Sequence, residues 1–501
     1  MLKEFKKYKT KENYIVLSIL IIFTLIWLFL FLNFSTLWAQ DSFWYARLGE
    51  NLATGNGFTL DGVNPHAQYP LGLPLLVIPL FFILGDIFSA GVITMFLLSL
   101  GSVILAYNLG KEISPFVGLT SAILLASHNL FIFNSMSVMT ETPFMFFSIL
   151  GLYLFMKSYK KRILIIPSII CITFSILIRY DGFFLIFPIA LYMIYRRKDF
   201  EEFFFSKKTF TAIGIGILVL GSWFLRNMIA FGTPLFNAHS SGDGSTGLSP
   251  NTIWEFSKQI IYTGYLFPIL ALLGIMVALL FYKKNIEIRV YLLWVLTYVL
   301  FHSWWWARGP RFYGEILILL CFFIAIEFDY LIKIYKKKRG LLKKITYLLI
   351  LLLVFEQLFI FYSGSINHES TIYTLNRYDP IREASEYANK NLPEDAVYIF
   401  PEYVVYTNFL NKKEITTYQS GLNHLLSTKG TIYFFTDNLH PWITGPFIPK
   451  GGEILLSVPL QQGTSVKVAL YPQEIKTFEK DSGEKVINAT IWKIEGFEIV
   501  G

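Results

Sequence analysis

Charge is what this chain has least of. Only 16% of its 501 residues are Asp, Glu, Lys or Arg, against about 25% in an ordinary soluble domain, and the mean hydropathy is +0.51. A water-soluble globular fold is excluded; repeated apolar runs of about 20 residues, each long enough to cross a bilayer, take its place. Cysteine is almost absent: Cys171 and Cys321 both stand inside apolar runs, so neither a disulfide nor a cysteine-held metal is expected. There is no tandem repeat, low-complexity tract, Gly-rich phosphate loop, HExxH pair or Cys/His cluster. The net charge of +8 does not announce a nucleic-acid partner, because its distribution follows membrane topology.

Apolar runs fall at about 14–35, 87–109, 114–133, 141–156, 163–179, 182–195, 210–230, 260–282, 289–306, 311–332 and 345–363. The first is too long and uninterrupted for a cleaved signal peptide. Lysine and arginine mark cytoplasmic loops. "LKEFKKYKTKE", "GKEIS", "KSYKKR", "YRRKDFEEFFFSKK", "YKKNIEIR" and "KIYKKKRGLLKK" all fall on one side when these eleven runs are counted as spans. The opposite loops hold one lysine, Lys258, and a handful of arginines. "LGLPLLVIPLFFILG" (Leu71 to Gly85) is apolar but short and carries Pro74 and Pro79. Counting it as a span would turn every later lysine cluster outward, so it is expected to lie along the interface or dip into it. The expected fold is a polytopic all-α membrane protein with about eleven transmembrane helices, its N-terminus cytoplasmic and its C-terminus extracytoplasmic. Residues 1–363 form the membrane domain, with a large first outer loop at 37–86. After Tyr362 a helix-like stretch, a Pro-containing turn and β-rich runs such as "GTIYFFTDN" and "SVKVALYP" predict a small soluble α/β domain over 364–501. Asn488-Ala-Thr490 within it has the form of a glycosylation acceptor.

With this topology the polar residues gather at the outer edge. Asp41 follows the first span, Glu141 opens the fourth, and Arg179 and Asp181 stand at the turn between the fifth and sixth. Arg226 ends the seventh, and Arg308 and Arg311 lie between the ninth and tenth. Ionisable groups at membrane depth are costly and suggest function. Each has a plainer reading as well. Single arginines snorkel to headgroups, Arg179 and Asp181 form a local ion pair capping two helices, and Glu141 is a first-turn acid favoured by the helix dipole. Asp41 is also a candidate N-cap. His66 either orients an acceptor or bonds within its own loop, and the tryptophans of "HSWWWARG" are most simply an aromatic belt. The collective pattern outweighs any member.

The outer face lacks nucleotide triphosphates, so group transfer there needs an activated donor carried by the membrane, as a polyprenyl-phosphate sugar is. Arginines at headgroup depth bind its phosphate bidentately and stabilise charge on the leaving group, and the candidates for donor binding are Arg226, Arg308, Arg311 and Arg179 with Asp181. The acceptor hydroxyl needs a base within about 3 Å. Asp41 is the best placed, Glu141 orients the acceptor or the sugar hydroxyls, and Tyr45 and His66 are the candidate contacts to acceptor or sugar.

Over roughly residues 14–363 the chain resembles the membrane-integral GT-C glycosyltransferases, in particular the family 39 protein mannosyltransferase-like group that includes the aminoarabinose transferases of lipid A. The resemblance lies in an ordered set: "DSFWYARLGENLATGNGF", "HAQYPLGLPLL", "MTETPFMFF", "IRYDGFFLIFP", "WFLRNMIAFGTPLF" and "RFYGEILIL". It implies catalysis by the first-loop acid, which falls on Asp41, and a second acid that matches Glu141. It also implies donor-phosphate binding by Arg226 and Arg311. The implied activity is transfer of a sugar, with inversion, from a dolichyl- or undecaprenyl-phosphate donor to a hydroxyl of a glycan, lipid or protein. Ser42 stands where a second acid often follows the first, which departs from the protein mannosyltransferases. The related oligosaccharyltransferases need an acid-held metal and a tryptophan-rich motif in their soluble domain. "SWWWARG" is in the wrong place for that, and no cofactor or obligatory metal is expected, since Asp41 has no second carboxylate on its short segment.

Two other classes compete. A transporter or lipid flippase would line a path with the same charges, but its sites lie near mid-membrane between repeated halves. A mere anchor for the outer domain would not need eleven spans. Gly55, Gly57, Gly62 and "SSGDGSTGLS" suggest lids that order on donor binding.

Overall fold

The computed structural model describes residues 2–33, 40–60, 62–66, 69–199, 203–234, 247–305, 309–334, 339–363, 379–400, 410, 414–417, 431–437, 454–459, 465–481 and 486–500. The chain divides into two compact units. One comprises Met1–Asn33 and Leu48–Tyr362, the other Phe34–Arg47 and Ser363–Gly501.

The first unit is helical. Its chain opens with α1 (Leu2–Asn33); α2 (Gln40–Ala53) begins in the second unit and ends in the first. There follow α3 (Gly72–Leu84), α4 (Ile87–Lys111), α5 (Pro115–Ser127), α6 (Asn129–Met136), α7 (Glu141–Ser158), α8 (Ile165–Ile178) and α9 (Ile186–Tyr195). Then come α10 (Lys207–Phe231), α11 (Pro250–Lys258), α12 (Leu266–Phe281), α13 (Ile286–Trp304), α14 (Leu317–Ile334) and α15 (Arg339–Phe361). Each of the eleven apolar runs thus contains a helix, and the protein is a multi-pass membrane chain. Among the described residues, five helices are long and apolar enough to cross a bilayer unaided, or up to seven if each of two bent pairs is one span. The others are short because helix-stopping residues interrupt the runs. The 114–133 run bends by 62° between α5 and α6, where His128 leaves the helical region (φ −71°, ψ 129°) and its own ring caps Leu130 N–H. Short 3-10 turns at Tyr180–Leu185 and Pro310–Ile316 take up the first turns of two other runs.

The Pro-containing segment after Leu71 is the 13-residue helix α3, packed against α4 and α8. Gly72 makes that packing possible: a Cβ there would lie 2.6 Å from Ile178 N and from Leu177 C. Gly72→Ala is therefore expected to cost stability, by about 1–3 kcal/mol as for other overpacked sites. Thermal denaturation in mild detergent measures it, and an unchanged midpoint would remove α3 from the list of rigid elements. Cys171 and Cys321 are free and buried.

In the second unit, α16 (Asp379–Asn391) lies against a mixed sheet. Its strands are β1 (Val397–Phe400), β2 (Glu414–Thr417), β3 (Ile432–Asp437), β4 (Ile454–Pro459), β5 (Ser465–Asp481) and β6 (Val486–Val500), in the order β2-β1-β3-β6-β5-β4. β1 runs parallel to β2 and β3, and the remaining pairs are antiparallel. Ile381, Phe400, Phe434, Phe435 and Ile491 are fully buried and form its core. Asn488-Ala-Thr490 lies within β6; Asn488 pairs with β5, Ala489 and Thr490 pair with both β5 and β3, and the buried Thr490 has its hydroxyl 2.9 Å from that of Thr477.

Candidate active site

Burying ionisable groups is unfavourable unless they are paired, and the first unit solves this with one connected network. α8 ends at Arg179, whose backbone turns extended (φ −150°, ψ 134°). The 3-10 turn that follows folds straight back on α8, which requires Gly182, since a Cβ there would lie 2.8 Å from Ile176 N. Arg179 Nε and Nη2 donate to Asp181 Oδ2 at 3.1 and 2.8 Å, and its Nη1 donates to Thr140 Oγ1 at 3.2 Å. The same Nη1 lies 3.2 Å from Glu315 Oε1. Phe312 and Phe144 flank the guanidinium, 5.3 and 6.0 Å from it. His302, fully buried on α13, places Nε2 3.3 Å from Asp181 Oδ2.

Beside this network, Glu141 is 1% exposed, and Arg311 Nε stands 3.6 Å from its Oε1. Arg311 itself remains 39% exposed and lies over the Phe312 ring. Asp181, His302 and Glu315 each present a ligand atom within 4.8 Å of the others, so these three are able to hold a metal ion. The guanidinium already bonded to Asp181 and paired with Glu315 supplies positive charge at the same place.

A second cluster involves the first loop. Arg226 Nη1 donates to His66 O at 2.7 Å and to Asn227 Oδ1 at 2.9 Å, and its Nη2 donates to Phe58 O at 3.3 Å. Trp223, Phe58 and Phe231 surround the guanidinium at 5.2, 5.7 and 5.3 Å. Leu48, Phe58, Leu177 and Trp223 form a buried apolar knot beneath it, joining the loop to α8 and α10. Trp223 Nε1 donates to the Tyr180 hydroxyl at 3.1 Å. Consecutive residues therefore serve both clusters: Arg179 and Asp181 the buried network, Tyr180 the Arg226 patch.

His66 bonds within its own loop, Nε2 accepting from Tyr69 N–H at 3.2 Å. Burial, and then the neighbouring Arg226 charge, hold its imidazole down from 6.5 to about 4. The fold favours the neutral ring, so its contribution to stability is complete above pH 6.5 and lost as pH falls towards 4. Hydrogen-exchange protection of the 58–66 amides, corrected for intrinsic rates, should fall by up to about tenfold per pH unit in that window. A His66→Gln variant should show no such window.

Of the residues singled out in the sequence, Arg179 and Asp181 come together in one network, and Glu141 and Arg311 pair beside it. Arg226 and His66 meet in the second cluster. Asp41, half-buried in the first turn of α2, and Tyr45, buried one turn on, belong to the other unit. Arg308 lies outside the described residues, as does most of "SSGDGSTGLS". Glu315 and His302 are additions. Both are ionisable groups inside apolar runs, which is the signal that would have found them.

Residues 88–229 match the family model described as dolichyl-phosphate-mannose-protein mannosyltransferase. No curated protein sequence matches the chain. Among solved structures, ArnT from Cupriavidus metallidurans in the apo state is similar with a TM-score of 0.67 at 9% identity, over 97% of this chain and 98% of that one. The same protein bound to undecaprenyl phosphate is similar with a TM-score of 0.64 at 9% identity, over the same shares. An oligosaccharyltransferase from Archaeoglobus fulgidus, in complex with zinc and sulfate, follows at 0.55 and 12% identity, over 90% of this chain and 72% of that one. The chain therefore has the fold of ArnT, and a region inside its helical unit matches the dolichyl-phosphate-mannose-protein mannosyltransferase family model.

Proposed function

We propose that the protein transfers a sugar from a polyprenyl-phosphate donor to an acceptor hydroxyl at the outer face of the membrane, with Asp41 as general base and inversion at the sugar. The observation that carries this reading is Arg226. Loop carbonyls fix its guanidinium, while Nε–H and one Nη2–H make no hydrogen bond to any described residue. A half-buried, pre-oriented guanidinium with two donors to spare suits a phosphate oxygen pair, and Arg311, partly exposed, suits the remaining charge. That an ArnT of the same fold binds undecaprenyl phosphate supports a lipid-phosphate donor. Glu141 then orients the acceptor or the sugar hydroxyls, and Arg179 and Asp181 hold the floor of the site rigid. The orientation is N-terminus cytoplasmic and C-terminal region extracytoplasmic, as the lysine distribution supports.

The catalytic step requires a cation to stabilise the departing phosphate, and the arginines supply it. Transfer is therefore expected to proceed without an obligatory metal, at an unchanged rate in EDTA. The test is purified protein in lipid with a panel of polyprenyl-phosphate sugars labelled in the sugar, followed for transfer to an added glycan, lipid or peptide, or release to water. Label leaving one donor supports the reading and names the sugar. No turnover of any donor, with solute or lipid crossing in a vesicle assay, would replace it by transport.

A further inference from the structure

At the opposite ends of the same helices a cavity of about 110 Å³ opens between α4, α7 and α13. It is lined by Glu112, Tyr153, Lys157, Lys160, Glu287 and Tyr291 among others. Two of its charges are already matched. Lys157 Nζ lies 2.6 Å from Glu112 Oε2, and the Tyr153 hydroxyl donates to Glu112 Oε1 at 3.2 Å. Two more have no partner among the described residues: the Glu287 carboxylate, partly buried, and the Lys160 ammonium, exposed at the rim. The third feature is Tyr291. It is buried, at 4% exposure, it lines the cavity, and its hydroxyl makes no hydrogen bond to any described residue.

One positive and one negative group, both unmatched, define a ligand with the opposite pair. We propose that this cavity binds a zwitterion made of a phosphoryl anion and a primary ammonium, and that the headgroup of an ethanolamine phospholipid supplies it. The phosphoryl group lies at Lys160. The ammonium donates to Glu287 and to the Tyr291 oxygen, which a quaternary ammonium, having no N–H, does not. The lipid is favoured over a free zwitterion by depth. Glu112 caps the end of α4, and the cavity sits where α7 ends and α13 begins, beside Lys111, Lys161, Lys283 and Lys284. Basic clusters at helix ends mark the level of phospholipid headgroups.

The experiment uses the full-length protein in mild detergent. Binding of ethanolamine, choline and glycerol phospholipids with the same acyl chains is read by native mass spectrometry, with free phosphoethanolamine as competitor. The ethanolamine lipid should bind about tenfold more tightly than the other two, the worth of one charge-assisted hydrogen bond. Glu287→Gln and Tyr291→Phe should each remove most of that preference, with an unchanged gel-filtration profile. Competition by phosphoethanolamine would keep the site and its chemistry and assign the soluble zwitterion as source; no competition assigns the lipid. Equal binding of the choline or glycerol lipid, or a preference that survives in both variants, would overturn the proposal.

Discussion

Asp41→Asn is expected to lower sugar transfer by about 10²–10⁴-fold, the usual worth of a positioned general base, while leaving donor binding intact. Asparagine keeps the size of the side chain and an acceptor oxygen but cannot take a proton. An acid in the first turn of a helix is worth about 0.3–1 kcal/mol through the dipole, and Asp41 holds that position in α2. Loss of the dipole contribution alone changes an equilibrium less than tenfold, well short of the loss of a base. Asp41→Glu keeps the carboxylate one methylene further out and should retain part of the rate. Single-turnover transfer from labelled donor, run beside a binding assay, reads both quantities. If the asparagine variant transfers within about threefold of the parent, the base is elsewhere, and Glu141 is the next carboxylate to replace.

The second large effect concerns stability. Arg179→Met leaves Asp181 and Glu315 buried without their shared cation. Breaking a buried pair from one side costs about 3–5 kcal/mol, a large share of the roughly 5–15 kcal/mol that holds a typical fold together. The variant is expected to denature well below the parent in mild detergent or to fail to accumulate. Adding Glu315→Gln should recover part of the loss, because it removes one of the uncompensated charges. A double variant no more stable than the single one would mean that the 3.2 Å approach of Arg179 to Glu315 carries no energy.

Much of the helical frame is legible in the sequence, because apolar runs bounded by lysines are what a bilayer demands. The short helix after Leu71 was legible too, from its length and its two prolines. Where the runs break was harder to see. The bend at His128 depends on its ring turning back to cap Leu130, and the turn at Tyr180–Leu185 depends on Gly182 meeting Ile176. Both are tertiary facts that hydropathy averages away. Glu141, Arg179, Asp181 and Arg311 were picked out one by one as polar residues in oily surroundings, but their pairing was not, apart from the local Arg179–Asp181 contact. Glu315 and His302 went unassigned because each sits within a stretch valued for something else, the "RFY" arginine and the tryptophan belt. In the C-terminal unit the helix and two strands were foreseeable from alternation. The parallel pairing of β1 with β2 and β3 was not, since register between distant strands leaves little trace in sequence.

Arg179, Tyr180 and Asp181 occupy three consecutive positions, yet their side chains answer to different parts of the molecule. A one-residue insertion or deletion there would not merely shift a loop. It would exchange the partners of both clusters at once, so this tripeptide should be among the least tolerant positions of the chain to any change in length. Point substitutions should show the same wiring as epistasis. Groups in one network couple by about 0.5–3 kcal/mol, whereas distant independent sites add. Tyr180→Phe should therefore be non-additive with Trp223→Phe and close to additive with Glu315→Gln, so that double-variant cycles through one tripeptide would trace how far the pull of the first loop reaches into the buried charges.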